Sequence, residues 1–152
     1  FSQIPAEEVN PFRLLVVGEV WDDLGLKEMI EASPNRERIS LRDEYVPDDD
    51  VSLYFSAADI LVLPYLRASQ SGVAHIAITY GIPVITTRVG GLEESMSSYE
   101  GTIFVPPGDP AAIKEAILKS FEDSASMKVR SSEISWDDIA ERYNEIFEAS
   151  LR

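Results

Sequence analysis

The chain has 152 residues, a formal net charge of −14, one histidine and no cysteine. That length supports a single domain with a proper core, and the missing cysteine excludes a disulfide framework and thiolate chemistry. The acidic balance excludes nonspecific nucleic-acid binding, which needs Lys and Arg to neutralise phosphates, and a lone His75 cannot build a multi-histidine metal site.

No apolar run of about 18 residues occurs, so no transmembrane helix is expected. The opening residues, FSQIPAEEVNPF, lack the basic and apolar regions of a signal peptide. Together with the absence of cysteine this fits a reducing cytoplasm. The expected location is cytoplasmic, with a membrane-peripheral position also open.

Phe1–Ile4 reads as the tail of a helix and Pro5–Pro11 as a connector. Arg13–Gly18 (RLLVVG) is a continuous apolar run after a proline, the signature of a strand buried on both faces. Leu24–Ala32 carries apolar residues at helical spacing, with Asp22 and Asp23 suited to its N-terminus. Ile39–Leu41 is a short second strand. Asp48, Asp49 and Asp50 follow Pro47 and invite a metal reading. They are better read as the favoured acidic start of a helix over Val51–Ala57.

Asp59–Leu63 (DILVL) is the next buried strand, and Asp59 ends the helix before it. A polar loop, Arg67–Gln70, then leads into a helix near Ser71–Gly72. That helix stops at Gly81, and Pro83–Thr87 is the following strand. Gly90-Gly91 opens a turn, Leu92–Met96 is a short helix and Ile103–Val105 a strand. In Pro106–Pro110, Asp109 is placed to cap a helix whose first residue is Pro110. Ile113, Ala116, Ile117 and Phe121 follow at helical spacing. Glu122–Ser132 is polar, a loop or frayed helix. Ser135–Asp138 resembles a capping box before a last helix bearing Ile139, Tyr143, Ile146 and Phe147, with Trp136 packing against a core or neighbouring domain.

Strands alternating with helices predict a mainly parallel sheet covered on both faces. Such sheets bind ligands at the carboxyl ends of their strands. Gly18-Glu19, Glu44–Val46, Tyr65–Gly72 and Thr87–Gly91 all fall at such ends. The strand, polar loop and helix start around Ser69-Gln70-Ser71-Gly72-Val73 suit a phosphate-bearing ligand. Unpaired N–H groups of the first helical turn point outward there, and the dipole adds partial positive charge. A plain N-cap with a tight turn explains the same residues without a ligand. One local anion site is compatible with the net charge, because salt screens charges beyond about 8 Å. Arg67 and Arg88 are near enough in sequence to add a cation. Gly90-Gly91 either bring amides to a ligand or only turn the chain. His75 is read as a satisfied or half-buried side chain, since no acid partner can be assigned to it.

In order, GEVW (18–21), DEYVPDDDV (43–51), ADILVLPY (58–65), ASQSGV (68–73), YGIPVITTRVGGLEE (80–94), FVPPGDPAAI (104–113) and SWDDIAERY (135–143) resemble one family. It is the glycosyl transferases group 1 family, retaining nucleotide-sugar transferases of GT-B fold, and the resemblance is to its C-terminal half. It implies a Rossmann-like three-layer sandwich, residues 1–152 forming a donor-binding domain without its first strand and without an acceptor domain. It implies that amides of Ser69–Val73 meet the donor phosphates, that Tyr45-Val46 lies against the base, and that Gly18-Glu19 lines the donor cleft. The implied donor is a nucleotide-diphospho-sugar. The implied acceptor is a sugar or lipid-linked acceptor held by another domain, in polysaccharide biosynthesis, and neither metal nor cofactor is expected.

Two departures from the family pattern stand out. Many members carry glutamates at the positions occupied here by Ala68 and Ile76, one facing the sugar and one the ribose. Gln70 or Ser69 is expected to replace the lost polar contact. The strand missing from the expected order is central, so the sheet should be incomplete or borrow a strand from another copy, and this piece alone should not turn over. A non-catalytic nucleotide-binding module of the same fold and a sugar-nucleotide epimerase remain as alternatives.

Overall fold

The computed structural model describes residues 1–21 and 25–122. The expected last helix, its capping box and Trp136 lie outside those residues, as do Asp22 and Asp23. The described chain alternates helices and strands, beginning with helix α1 (Ala6–Val9) and strand β1 (Leu14–Val17). Helix α2 (Leu26–Glu31), a 3-10 turn at Arg36–Arg38 and strand β2 (Ile39–Arg42) follow. Next come α3 (Asp48–Ala57), β3 (Leu61–Leu63), α4 (Gly72–Thr79) and β4 (Val84–Thr87). The order closes with α5 (Gly91–Met96), β5 (Thr102–Val105) and α6 (Pro110–Glu122).

All strand pairs are parallel, in two hydrogen-bonded pieces: β1 with β2, and β3–β4–β5 in that order. Among the described residues this is the Rossmann-like arrangement, with its strands in two separate pieces. The three-stranded piece is the middle layer of a sandwich. Successive strand residues face opposite sides. Leu63 and Val84 therefore pack with Ala74, Ala77, Leu92 and Met96 of α4 and α5 on one face. Ile85 and Val105 pack with Ile113, Ala116 and Ile117 of α6 on the other. All four residues of β4 are buried.

Helix starts follow their local chemistry. Asp109 accepts from the N–H groups of Ala111 and Ala112, both at 3.0 Å, with Pro110 first in the helix as expected. The three aspartates after Pro47 form the first turn of α3, where they face the positive end of the dipole. They do not cap it through a side chain: Pro47 holds the cap position. No cluster of acidic or histidine side chains able to hold a metal occurs among the described residues.

Several expectations are corrected. Phe1–Ile4 is a turn rather than a helix tail, and the expected connector Pro5–Pro11 contains α1. Proline fixes φ at −58° just ahead of α1, and Ile4, Val9 and Phe12 then bury against Phe121 and neighbours on α6. The 3-10 turn before β2 carries no apolar period and was not expected. β1 is a strand but is not buried on both faces. Leu15 is 45% exposed and no β1 residue is fully buried.

Candidate functional site

The structure brings the expected donor-binding residues together as two groups. The first joins the loops after β1 and β2. The Val20 N–H donates to Asp43 Oδ1 at 3.0 Å, and Lys27 Nζ lies 3.0 Å from Asp43 Oδ2. The Val20 amide, and then Lys27, hold the Asp43 carboxyl below its ordinary value. This tie sets Gly18-Glu19 beside the loop bearing Tyr45 and Val46. Glu19, Val20 and Trp21 line a shallow open depression, and Trp21 is 88% exposed. Tyr45 is also exposed, while Val46 is partly buried.

The second group is the loop from β3 into α4. Ser71 takes extended backbone angles, φ −140° and ψ 113°, and its Oγ accepts from Ala74 N at 3.3 Å. That is the N-cap the sequence offers. Ser71 is only 6% exposed, so its hydroxyl serves the helix and the Tyr65 hydroxyl, 3.3 Å away. Any part it has in ligand binding runs through its main chain. Ser69, Gln70, Gly72 and Val73 are exposed. The N–H groups of Gly72 and Val73 lie in the first helical turn, which has no carbonyl one turn back to accept from them. A Cβ placed on Gly72 would meet nothing within 4 Å. Gly72 and Val73 are therefore exposed at the positive end of the helix dipole, between the buried Ser71 and Ala74.

The side chains around this turn offer little help to a ligand. Arg88 is paired with Glu93 and stacks 4.7 Å from the centroid of Phe104, so it is not a spare cation as the sequence allowed. Arg67 is exposed. His75 is exposed rather than half-buried. Ala68 packs against the core formed by Leu63, Ala74 and their neighbours, and Ile76 is partly buried on α4.

Gly90-Gly91 do more than turn the chain. A Cβ on Gly90 would fall 2.1 Å from the carbonyl oxygen of Ala68, and one on Gly91 2.2 Å from that of Ser69. The Thr87 hydroxyl donates to the Tyr65 carbonyl at 2.6 Å. The end of β4 is thus bonded to the loop after β3, and the two glycines beyond it lie against that loop's backbone. Sequence reading missed this tie, and missed Asp43. Two adjacent glycines, two residues beyond a strand, were the available signal for the first. Nothing local marks one aspartate among many for the second.

An open parallel α/β domain with an uncovered helix start at its carboxyl edge defines the Rossmann-like class. Residues 1–123 match the family described as Glycosyl transferases group 1, and the chain belongs to that family. It is 33% identical over 109 residues to 2-deoxystreptamine N-acetyl-D-glucosaminyltransferase of Streptomyces fradiae, covering 72% of this chain and 26% of that enzyme. It is 24% identical over 146 residues to O-antigen chain mannosyltransferase B of Escherichia coli, covering 91% and 38% respectively. Among solved structures it is similar to sucrose-phosphate synthase of Thermosynechococcus elongatus, with TM-score 0.74 and 23% identity over 91% of this chain and 38% of the other. It is also similar to Anabaena HepE, solved in complex with UDP, with TM-score 0.75 and 15% identity over 97% and 43%. The chain thus spans between about a quarter and under half of the length of these relatives.

Proposed function

We propose that the whole protein transfers a sugar from a nucleotide-diphospho-sugar to an acceptor, and that this chain supplies the donor-binding half. The observation that carries this reading is the start of α4 at the carboxyl edge of a parallel sheet, where Gly72 and Val73 are exposed and their N–H groups have no helical carbonyl to bond. Main-chain donors placed beforehand stabilise charge that develops on a departing diphosphate, without reorganising during the reaction. In this reading Ser69, Gln70, Ser71, Gly72 and Val73 cradle the diphosphate. Tyr45 and Val46 contact the base, and Gly18 and Glu19 line the cleft. No metal or cofactor is invoked. Retention of configuration, a sugar or lipid-linked acceptor and the acceptor domain belong to the same proposal.

The test is a thermal-shift screen of the intact protein with UDP, GDP and ADP sugars. One nucleotide series should raise the melting temperature with rising ligand concentration. A flat response to all three overturns the donor reading. Gln70→Ala should weaken binding by calorimetry, and unchanged affinity removes Gln70 from the site. Ala68 and Ile76, which leave no side-chain acceptor at those positions, favour a second reading: a module that binds the nucleotide without catalysis. Donor hydrolysis or transfer by the intact protein decides between the two.

A further inference from the structure

We propose that Gly90 and Gly91 are positioning residues for the diphosphate site, acting by what they lack. This deepens the donor reading and rests on it. The loop Ala68–Gln70 precedes the free amides of Gly72 and Val73, so the path of its backbone aims them. That path runs directly over the start of α5. The carbonyl oxygen of Ala68 occupies the space where a Gly90 Cβ would stand, at 2.1 Å, and that of Ser69 the space of a Gly91 Cβ, at 2.2 Å. Both obstacles are backbone, which cannot swing aside as a side-chain end does. Gly90 also has φ +50° and ψ −138°, a conformation that side chains disfavour. Two further ties fix the same loop: the Thr87 hydroxyl to the Tyr65 carbonyl at 2.6 Å, and the Tyr65 hydroxyl to Ser71 Oγ at 3.3 Å. The loop after β3 is thus pinned at Tyr65, at Ala68–Ser69 and at Ser71. The two glycines make the middle contact and touch no ligand themselves. A methyl group at either position pushes the loop outward and turns the first-turn amides off their aim.

The experiment uses the intact protein and two readouts. In the ligand-free state, Gly91→Ala should shift the backbone amide resonances of Ala68–Ala74. Gly81→Ala, at a positive φ of 66° outside this contact, serves as the strain control and should leave them in place. Affinity for the nucleoside diphosphate that binds best among UDP, GDP and ADP should fall at least tenfold in Gly91→Ala and less than threefold in the control. Unmoved amides, or moved amides with unchanged affinity, overturn the proposal. If the glycine variants do not fold, the wild type decides. The Hα protons of Gly90 and Gly91 should show nuclear Overhauser contacts to Ala68 and Ser69 that persist when nucleotide saturates the site. Their absence, or their loss on binding, overturns the proposal. If no nucleoside diphosphate binds wild type, the donor reading fails, and the site-positioning proposal falls with it, whereas intact Overhauser contacts would still record the backbone contact itself.

Discussion

β1 and β4 are both four-residue parallel strands, LLVV and VITT, and only the less apolar one is buried. β4 lies between β3 and β5, with α4 and α5 over one face and α6 over the other. Its two threonines are fully buried and donate to main-chain carbonyls, Thr86 to Leu63 at 3.4 Å and Thr87 to Tyr65 at 2.6 Å. β1 pairs with β2 and leaves Leu15 half in solvent. Burial here follows the neighbours a strand acquires, not its own composition. The same contrast separates the two halves of the candidate site. The loop after β3 is held by Thr87 at the end of β4 and lies against the glycines beyond it, while the loops after β1 and β2 share one amide contact, and the second is ion-paired to Lys27 of α2.

The largest expected effect tests the burial difference directly. Ile85→Ala, at a fully buried β4 position, should cost about 2–5 kcal/mol in denaturant unfolding. Leu15→Ala should cost under about 1 kcal/mol, because much of that side chain is already in water. Equal costs would break the comparison and mean that β1 is covered in solution. Next is Tyr99→Phe. Its buried hydroxyl donates to the Ile82 carbonyl at 3.0 Å, and losing that bond should cost about 1 kcal/mol by the same measurement. Ser71→Ala should remove about 1 kcal/mol by uncapping α4, read as faster amide exchange at Ala74. Unaltered exchange would show that the hydroxyl does not cap the helix.

The smallest effect concerns the exposed half. Asp43 is held below its ordinary value of 3.8 by the Val20 N–H and Lys27. A depressed carboxyl contributes stability above the unfolded value and loses it as pH falls through the folded one. The Val20 amide resonance should therefore titrate with a midpoint below 3.8. A midpoint at or above that value would show that the contact does not persist in solution.

Much of the chain order was legible because each cue is local. Asp109-Pro110 start α6, Ser71 caps α4, and Gly81 follows its end with positive φ. That the loops after the strands gather on one side was legible too, because the strands pair in parallel. What was misread lacked a local mark. α1 has four residues, too few for a helical period, and forms where Ile4, Val9 and Phe12 find α6 far along the chain. Arg88 looked available until Glu93 and Phe104 closed on it.

By itself, then, the order of residues determined most of the helices and strands beyond α1, where several helices start, and the membership that residues 1–123 carry. Those properties come from backbone hydrogen bonding and side-chain alternation within a few residues. Only the tertiary structure decided that VITT is interior while LLVV meets water, and that two glycines make room for the carbonyls of Ala68 and Ser69. Both depend on which distant backbone comes to lie alongside, and no short window of sequence contains that information.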